Sequence, residues 1–370
     1  MRQTFAIFFT FFSCVFFTFA CGQSALDEGS VSGVIRPTQG DIEYIDSLFS
    51  AYTGNRPGAA VGVYKNGQIF YEKGYGIANL PANEQVTPRS NFRLASVTKA
   101  MTAFAVMILK NRGLLNYDMT LKDVFPEFPE YGKKVKIRHL LHHTGGLQSY
   151  ETLMNEYPTP KPIKDSDILK LLIEHTSSTE FTPGSRYSYS NTGYCILAQV
   201  VEKISGKRFS EFMKQEFYTP LGMVNTVAFE KGVNTVPLRA YGYDSSGNDS
   251  DQSDTSSTLG DGGVYTSAHE MFLWDQALYS NKIISDDTLK EAFVSGRLND
   301  GSSTNYGFGW DLGSYQGHRK TTHTGATCGF LTAIQRFPDD KIGIVVLTNR
   351  NSGSPSSIAS QIADYMLKGK

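Results

Sequence analysis

Cysteine is scarce in this chain. There are four in 370 residues, and Cys14 and Cys21 fall within or directly after the apolar N-terminal run. Only Cys195 and Cys328 remain for the folded part, which excludes a disulfide scaffold and a cysteine-built zinc framework. The two could pair in an oxidising compartment, but Cys195 lies in an apolar helical pattern that suits a small core residue better. Neither sign of charge is in excess, since 35 Lys and Arg face 36 Asp and Glu for a formal net of -1. Without a basic surplus there is no footprint for nucleic acid, and without an acidic one no sign of a self-repelling, disordered chain. Internal repeats, glycine-rich phosphate loops and metal-ligand clusters are also missing. His139, His142 and His143 sit together, but with no acidic or cysteine partner nearby they suggest a polar helix end packed under a loop rather than a metal site.

What is present begins with an export pattern. Arg2 precedes an almost unbroken apolar run from Phe5 to Ala20, followed by Cys21 and small or polar residues. The run is too short and too one-sided in its flanks for a membrane span, and residues 1–20 are expected to be a secretory signal. Ala20-Cys21 resembles the processing and acylation site of bacterial lipoproteins, although Thr18 stands where that site usually has leucine. The resemblance implies a protein exported to the periplasm or cell envelope and tethered to a membrane through Cys21. Residues 21–40, rich in Ser, Gly and acids, read as a flexible tether.

The folded domain is expected over residues 41–370, starting with the helical spacing of DIEYIDSLFSAY from Asp41. AAVGVYK and QIFYEKGYGIA flank Asn66-Gly67, a strong hairpin signal. The segment from Leu114 to about Leu298 reads mainly as helices broken by Pro and Gly. Inside it, residues 241–263 form a polar stretch whose end, Gly260 to Gly263, is expected to lie close to the site. Strands return with GFGWDLG after Gly307, a partner near Tyr315 to Thr322, FLTAIQRFP and KIGIVVLTN, and PSSIASQIADYMLK closes the chain as a helix. These elements predict an α/β (α+β) domain: an antiparallel sheet from N- and C-terminal strands, flanked by helices, with a helical lobe at about 114–298 inserted between them.

One stretch carries chemistry. In FRLASVTK, Phe92 to Lys99, Ser96 and Lys99 stand three residues apart at the head of the apolar run AMTAFAVMILK, so a helix starting near Ser96 puts hydroxyl and amine on one face. A serine beside an amine is a nucleophile with a base, and the helix N-terminus supplies N–H groups for an oxyanion. The alternative is that Ser96 is an N-cap and Lys99 a solvated first-turn residue. Tyr189-Ser190-Asn191 follows an exposed Pro-Gly loop and opens a helical pattern. There Tyr189 can share a proton with Lys99, and Asn191 can bond both lysine and substrate. The same tripeptide pattern at Tyr64 and Tyr279 is explained by turn and C-cap roles. His323-Thr324-Gly325-Ala326 lies between strand-like segments, where small residues at Gly325 and Ala326 would let a substrate approach the backbone. The alternative there is a bulged edge strand with an exposed histidine.

Taken together, and with LLHHTGGL at Leu140 to Leu147, PGSRYSYSNTGY at Pro183 to Tyr194, GDGGVYTSAHEM at Gly260 to Met271 and HTGATCGF at His323 to Phe330, these pieces resemble the serine β-lactamase and penicillin-binding-protein superfamily. Within it they are similar to the class C β-lactamase-related branch, which includes D-amino-acid peptidases and esterases. The resemblance implies the β-lactamase/transpeptidase-like fold and a serine hydrolase needing no metal or cofactor. Ser96 would be the acylated nucleophile, Lys99 and Tyr189 its proton-transfer partners, and Asn191 a substrate-orienting amide. His323 and Gly325 would line one wall, with the N–H groups of Ser96 and Ala326 as the oxyanion hole. Which of Lys99 and Tyr189 is the base stays open. Two departures bear on substrate: His323 replaces the lysine that opens the third motif in many β-lactamases, and SGSPSSIASQ lacks the basic residue that class C enzymes place near a substrate carboxylate. An ordinary imidazole is mostly neutral at pH 7 to 8, so a small ester, an amide or a peptide with D-residues is the expected substrate. A β-lactamase proper is the rival, with Arg336 or Arg350 then left to bind the carboxylate. A wall-binding or sensing protein of the same fold is another.

Overall fold

The structure, a computed structural model, describes residue 1 and residues 34–368. It divides into two units, 1–34 and 35–370, and the second carries everything below. The apolar run, Cys21 and most of the expected tether lie outside the described residues. Residues 35–40, expected in the tether, belong to the folded unit. The Ile35 N–H donates to the Gln68 side chain at 3.1 Å, and Ile35 packs against the rear core.

Asn66 and Gly67 form the expected hairpin between β1 (Ala59–Lys65) and β2 (Gln68–Tyr75). Their φ values of 50° and 77° are the left-handed pair that a tight two-residue turn needs. Four later strands, β3 (Asp311–Tyr315), β4 (His318–Thr327), β5 (Phe330–Phe337) and β6 (Ile342–Thr348), complete an antiparallel sheet in the order β2-β1-β6-β5-β4-β3. The first hairpin thus docks on the last strand, with Val61 opposite Val346.

The principal helices are α1 (Gln39–Ser47), α2 (Thr98–Asn111), α3 (Asp165–His175), α4 (Asn191–Ser205), α5 (Ala268–Ala277) and α6 (Pro355–Leu367). They cover both faces of the sheet, which is why β6 reads IGIVVLT without a polar alternation. Ile342, Ile344 and Val346 pack with Ile45 of α1 and Ile362 of α6, whereas Val345 and Leu347 join the larger core with Met101, Leu197 and Trp274. Each such aliphatic or aromatic side chain contributes ~1.5–3 kcal/mol on burial. Because α2 runs through the larger core, it is buried continuously from Thr98 to Leu109. That all-round burial fixes the direction in which its first turn points.

Two elements differ from the sequence pattern. The inserted lobe is mainly helical, as expected, but its Val264–Thr266 and Val227–Ala228 pair with Phe92–Arg93, which precedes the lobe, in a three-stranded sheet whose strands are too short to show a period. Residues 307–310 are not strand, because Gly309 at φ 78° is pressed onto α2, where a Cβ would lie 2.4 Å from the Ala100 Cα.

The ion pair of Arg336 on β5 with Asp275 on α5, at 2.6 Å, joins sheet to lobe with both side chains almost wholly buried. Asp275→Ala would leave a buried guanidinium unpaired, so a loss of ~3–5 kcal/mol is expected in urea unfolding. A loss below about 1 kcal/mol would show that the pair is not a structural clamp.

Candidate active site

After the short strand Phe92–Arg93 the chain turns sharply. Ala95 adopts φ 48°, a left-handed conformation uncommon for alanine, and a 3-10 turn over Ala95–Val97 leads into α2. Such backbone strain costs on the order of 1 kcal/mol and must be held from outside. Leu94 supplies the hold: its N–H donates to Val264 O at 2.8 Å, and its carbonyl accepts from the Thr332 hydroxyl at 2.7 Å. Gly325 explains how β4 can lie over this turn. A Cβ there would meet Leu94 O at 2.2 Å, Thr332 Oγ1 at 2.3 Å and Ala95 Cβ at 3.1 Å. The expectation that Gly325 clears room for substrate is therefore corrected, because it clears room for the serine-bearing turn. Ala326, next along β4, is exposed and shares a cavity of about 140 Å³ with Ser96.

Ser96 is not an N-cap, since the turn has no side-chain cap, and Lys99 is not solvated, being 0% exposed. Its Nζ donates to Ser96 Oγ at 3.0 Å, Asn191 Oδ1 at 2.9 Å and Asp261 O at 3.0 Å. Two of these acceptors, the amide oxygen and the backbone carbonyl, can only accept. They occupy two tetrahedral directions of the amine and aim the third at Ser96. With a hydrogen there Lys99 donates to the serine; with a lone pair there it takes the serine proton.

The two fixed acceptors are themselves held. Asn191 opens α4 behind the N-cap Ser190, whose hydroxyl accepts from Gly193 N. Its Nδ2 donates to Glu151 Oε1 at 2.8 Å, which fixes the amide with its oxygen toward Lys99. The Asp261 carbonyl belongs to 259–263, a segment gripped residue by residue: Gly260 O accepts from Thr102 Oγ1 at 2.7 Å and Gly262 O from Arg93 Nε at 3.0 Å. Gly260 must be glycine because a Cβ would lie 2.3 Å from Tyr194 O.

Tyr189 presents its ring, centred 4.9 Å from Lys99 Nζ, and is 43% exposed. Its hydroxyl makes no hydrogen bond to Lys99 or to any other described residue, and the contact with the lysine is through the ring. His143 lies under that ring at 4.3 Å between centroids and accepts the Ser190 N–H at Nδ1. Burial, with the Lys99 charge second, holds its pKa well below the ordinary imidazole value. The three clustered histidines therefore diverge: His139 Nδ1 accepts from Lys136 N, and His142 Nδ1 donates to Tyr306 O at 2.9 Å. Among the described residues no group of side chains could hold a metal ion.

His323 departs most from expectation. It is 3% exposed, with Nδ1 donating to Thr324 O at 2.7 Å and Nε2 accepting from the Tyr306 hydroxyl at 3.0 Å. Burial, then the Lys99 charge, pushes its pKa down to about 3. It is neutral for a stronger reason than an ordinary pKa, and it props the wall from behind instead of lining it. A lysine at this position would be buried, so His323→Lys would not build a carboxylate site. Arg336 is committed to Asp275, and Arg350 to Ala51 O at 2.9 Å. Cys195 and Cys328 are unpaired.

Glu151, Asp261, Thr102, Arg93, His143 and Tyr306 complete the site, and no sequence motif marks their roles in it. Only the Gly260 to Gly263 stretch points toward one of them, Asp261, because the other contacts join residues far apart in the chain or run to backbone groups, and neither leaves a local motif.

An antiparallel sheet with helices on both faces, and a serine and lysine at the head of its most buried helix, define a β-lactamase/transpeptidase-like fold. The chain belongs to the Beta-lactamase family, which matches residues 45–365. It is 31% identical over 323 residues to penicillin-binding protein 4* of Bacillus subtilis, covering 83% of this chain and 71% of that one. A D-aminopeptidase of Gluconobacter oxydans is 25% identical, over 83% of this chain and 58% of its own length. Among solved structures, the octameric penicillin-binding protein homologue from Pyrococcus abyssi superposes with a TM-score of 0.77 at 25% identity, covering 89% of this chain and 77% of that one. The family is one of serine hydrolases.

The buried histidines make stability depend on pH. His323 and His142 have pKa values near 3 and 4, below the ordinary 6.5, so the unfolded chain takes up protons first as pH falls. Stability is fully present above about pH 6.5 and declines below it, by up to ~1.4 kcal/mol per pH unit for each histidine. His323→Gln should flatten that decline between pH 6 and pH 4 in denaturant titrations. An unchanged slope would mean that His323 is not held neutral.

Proposed function

We propose that the chain is an exported serine hydrolase that forms an acyl-enzyme at Ser96. The observation that carries this is the Lys99 amine, with two directions fixed by Asn191 and Asp261 and the third on Ser96 Oγ. In acylation, Ser96 Oγ attacks an amide or ester carbonyl and its proton passes to Lys99. The carbonyl oxygen gathers charge between the N–H groups of Ser96 and Ala326. The leaving group departs with a proton delivered from Lys99, and Tyr189, whose ring lies 4.9 Å from the amine, is the candidate relay. Water then attacks the acyl-enzyme, giving its proton to the same relay, and Ser96 is regenerated. No step calls for a metal or cofactor.

For substrate, the side chains around the cavity favour an ammonium over a carboxylate. Among the described residues Glu151 and Asp261 line it against one lining cation, Arg93, whose Nε and Nη2 donate to the Gly262 and Ser256 carbonyls and whose Nη1 has no partner, while Lys99 faces the reacting centre. This supports a small amide, peptide or ester with a free amino group beside Glu151, the D-aminopeptidase relative being consistent with a D-residue, over a penicillin with its carboxylate. The apolar run ending at Ala20-Cys21 supports export and a lipid tether.

A fluorophosphonate should add to wild type at Ser96, by peptide mapping, and not to a folded Ser96→Ala variant. Absence of the wild-type adduct would favour a binding role. D-alanine p-nitroanilide should exceed its N-acetyl derivative in kcat/KM by roughly ten- to a hundredfold, the value of a charge-assisted hydrogen bond. Glu151→Gln should erase that preference; an equal ratio in both proteins would place the amino group elsewhere. Cys21→Ser should release the protein from the membrane fraction, and a soluble wild type starting at another residue would refute the tether.

A further inference from the structure

The Asp261 carbonyl is one of the two acceptors that orient Lys99, and a backbone carbonyl has no means of aiming itself. What aims it comes from a helix with no other part in the site. Asp165, the first residue of α3, accepts the Leu259 N–H at Oδ2, 2.7 Å, and the Gly260 N–H at Oδ1, 3.2 Å. The successive 258–259 and 259–260 peptide units, one unit upstream of Asp261, are thereby pinned by one carboxylate. Thr102 on α2 holds Gly260 from the opposite side through its carbonyl.

We propose that Asp165 is a positioning residue for the Ser96–Lys99 centre, its carboxylate fixing the 259–261 backbone so that the Asp261 carbonyl takes one Lys99 N–H and leaves the amine facing the serine.

A side chain recruited only for stability would be a strange choice here. Asp165 is 4% exposed and shares its surroundings with a second carboxylate, Asp261, one of whose oxygens has no partner. Burial and the Asp261 charge push the Asp165 pKa up to about 7, so holding this carboxylate against the loop is costly. The groups that face it are Asp261 on the loop and the Cys195 thiol on α4, together with the Leu259 and Gly260 N–H groups; Tyr150, Lys99 and Glu151 lie around Asp261, and Lys164, Glu202, Arg208, Glu230 and Lys231 line the surface pocket that Asp165 borders. A neutral asparagine of the same shape would avoid the burial cost but could accept only one of the two N–H groups, setting its own N–H against the other.

The inference rests on the acyl-enzyme proposal, and the test separates the two. Fluorophosphonate labelling is followed per active site, from pH 5 to pH 9, in the full-length wild type, Asp165→Asn, Asp165→Ala and Thr102→Val. The labelling rate constant should fall about tenfold in Asp165→Asn and roughly a hundredfold in Asp165→Ala, the size expected of a displacement of about 1 Å at a reacting group. Thr102→Val, which loosens the same backbone from the other side and keeps the carboxylate, should also slow labelling. Removing a buried negative charge should move the pH midpoint of labelling down in both Asp165 variants and leave it in place in Thr102→Val. If wild type labels at Ser96 but the folded Asp165→Asn protein labels at the wild-type rate with the wild-type midpoint, Asp165 only stabilises the fold and the inference is wrong. If Asp165→Ala does not fold, the Asn and Val variants decide alone. If wild type does not label, the acyl-enzyme proposal fails first and takes this one with it.

Discussion

A fully buried primary amine with three hydrogen-bond directions is the constraint to which the rest of the molecule answers. A buried amine without hydrogen-bond partners would be costly to keep, and one without fixed acceptors would have no preferred orientation. Lys99 avoids both because an amide oxygen and a backbone carbonyl occupy two of its directions and the Ser96 hydroxyl the third. Each fixed partner requires another element behind it. Asn191 depends on the start of α4 and on Glu151, and Asp261 depends on a loop pinned between α2 and α3.

The sheet enters through the opposite side of the same centre. The left-handed turn at Ala95 lifts Ser96 out of a stretch otherwise buried from Asn91 to Ala100, and β4 and β5 press on that turn through Gly325 and Thr332. The lobe thus orients the lysine and the sheet holds the serine, and the cavity opens where they meet. Behind the wall, neutral His143 and His323 with Tyr306 fill the space under Tyr189 without adding charge. A second cation there would be repelled by Lys99 whenever the amine carries its extra proton, whereas aromatic rings support the Tyr189 ring at little electrostatic cost.

Much of this was legible in the chain. The Asn66-Gly67 hairpin, the apolar run after Ser96 and the doubly buried IGIVVLT strand each carry a local signal of turn chemistry or period, and the structure follows them. Ser96, Lys99, Tyr189 and Asn191 were visible because side-chain chemistry at short spacing leaves a motif. Other features were hidden for physical reasons. The burial of His323 is decided by Tyr306, which reaches it across the fold, and sequence spacing says nothing of that. Gly325 looked like an opening for substrate because a missing side chain does not state which neighbour needs the space. The clamps on 259–263 act on peptide groups that every residue possesses, so no residue type betrays them. The lobe's short three-stranded sheet is set by tertiary contacts, its strands being only two or three residues long.

The central claim is that the geometry around Lys99 makes Ser96 reactive, and replacing that lysine with an uncharged chain of similar length tests it most directly. Lys99→Met keeps the buried volume and the serine but removes the amine. Stopped-flow or quenched labelling of folded Lys99→Met with a fluorophosphonate should fall by ~10²–10⁴ relative to wild type, the range by which a positioned base accelerates proton transfer. Labelling of the folded variant at the wild-type rate would contradict the account, because Ser96 would then owe its reactivity to something other than the amine held against it.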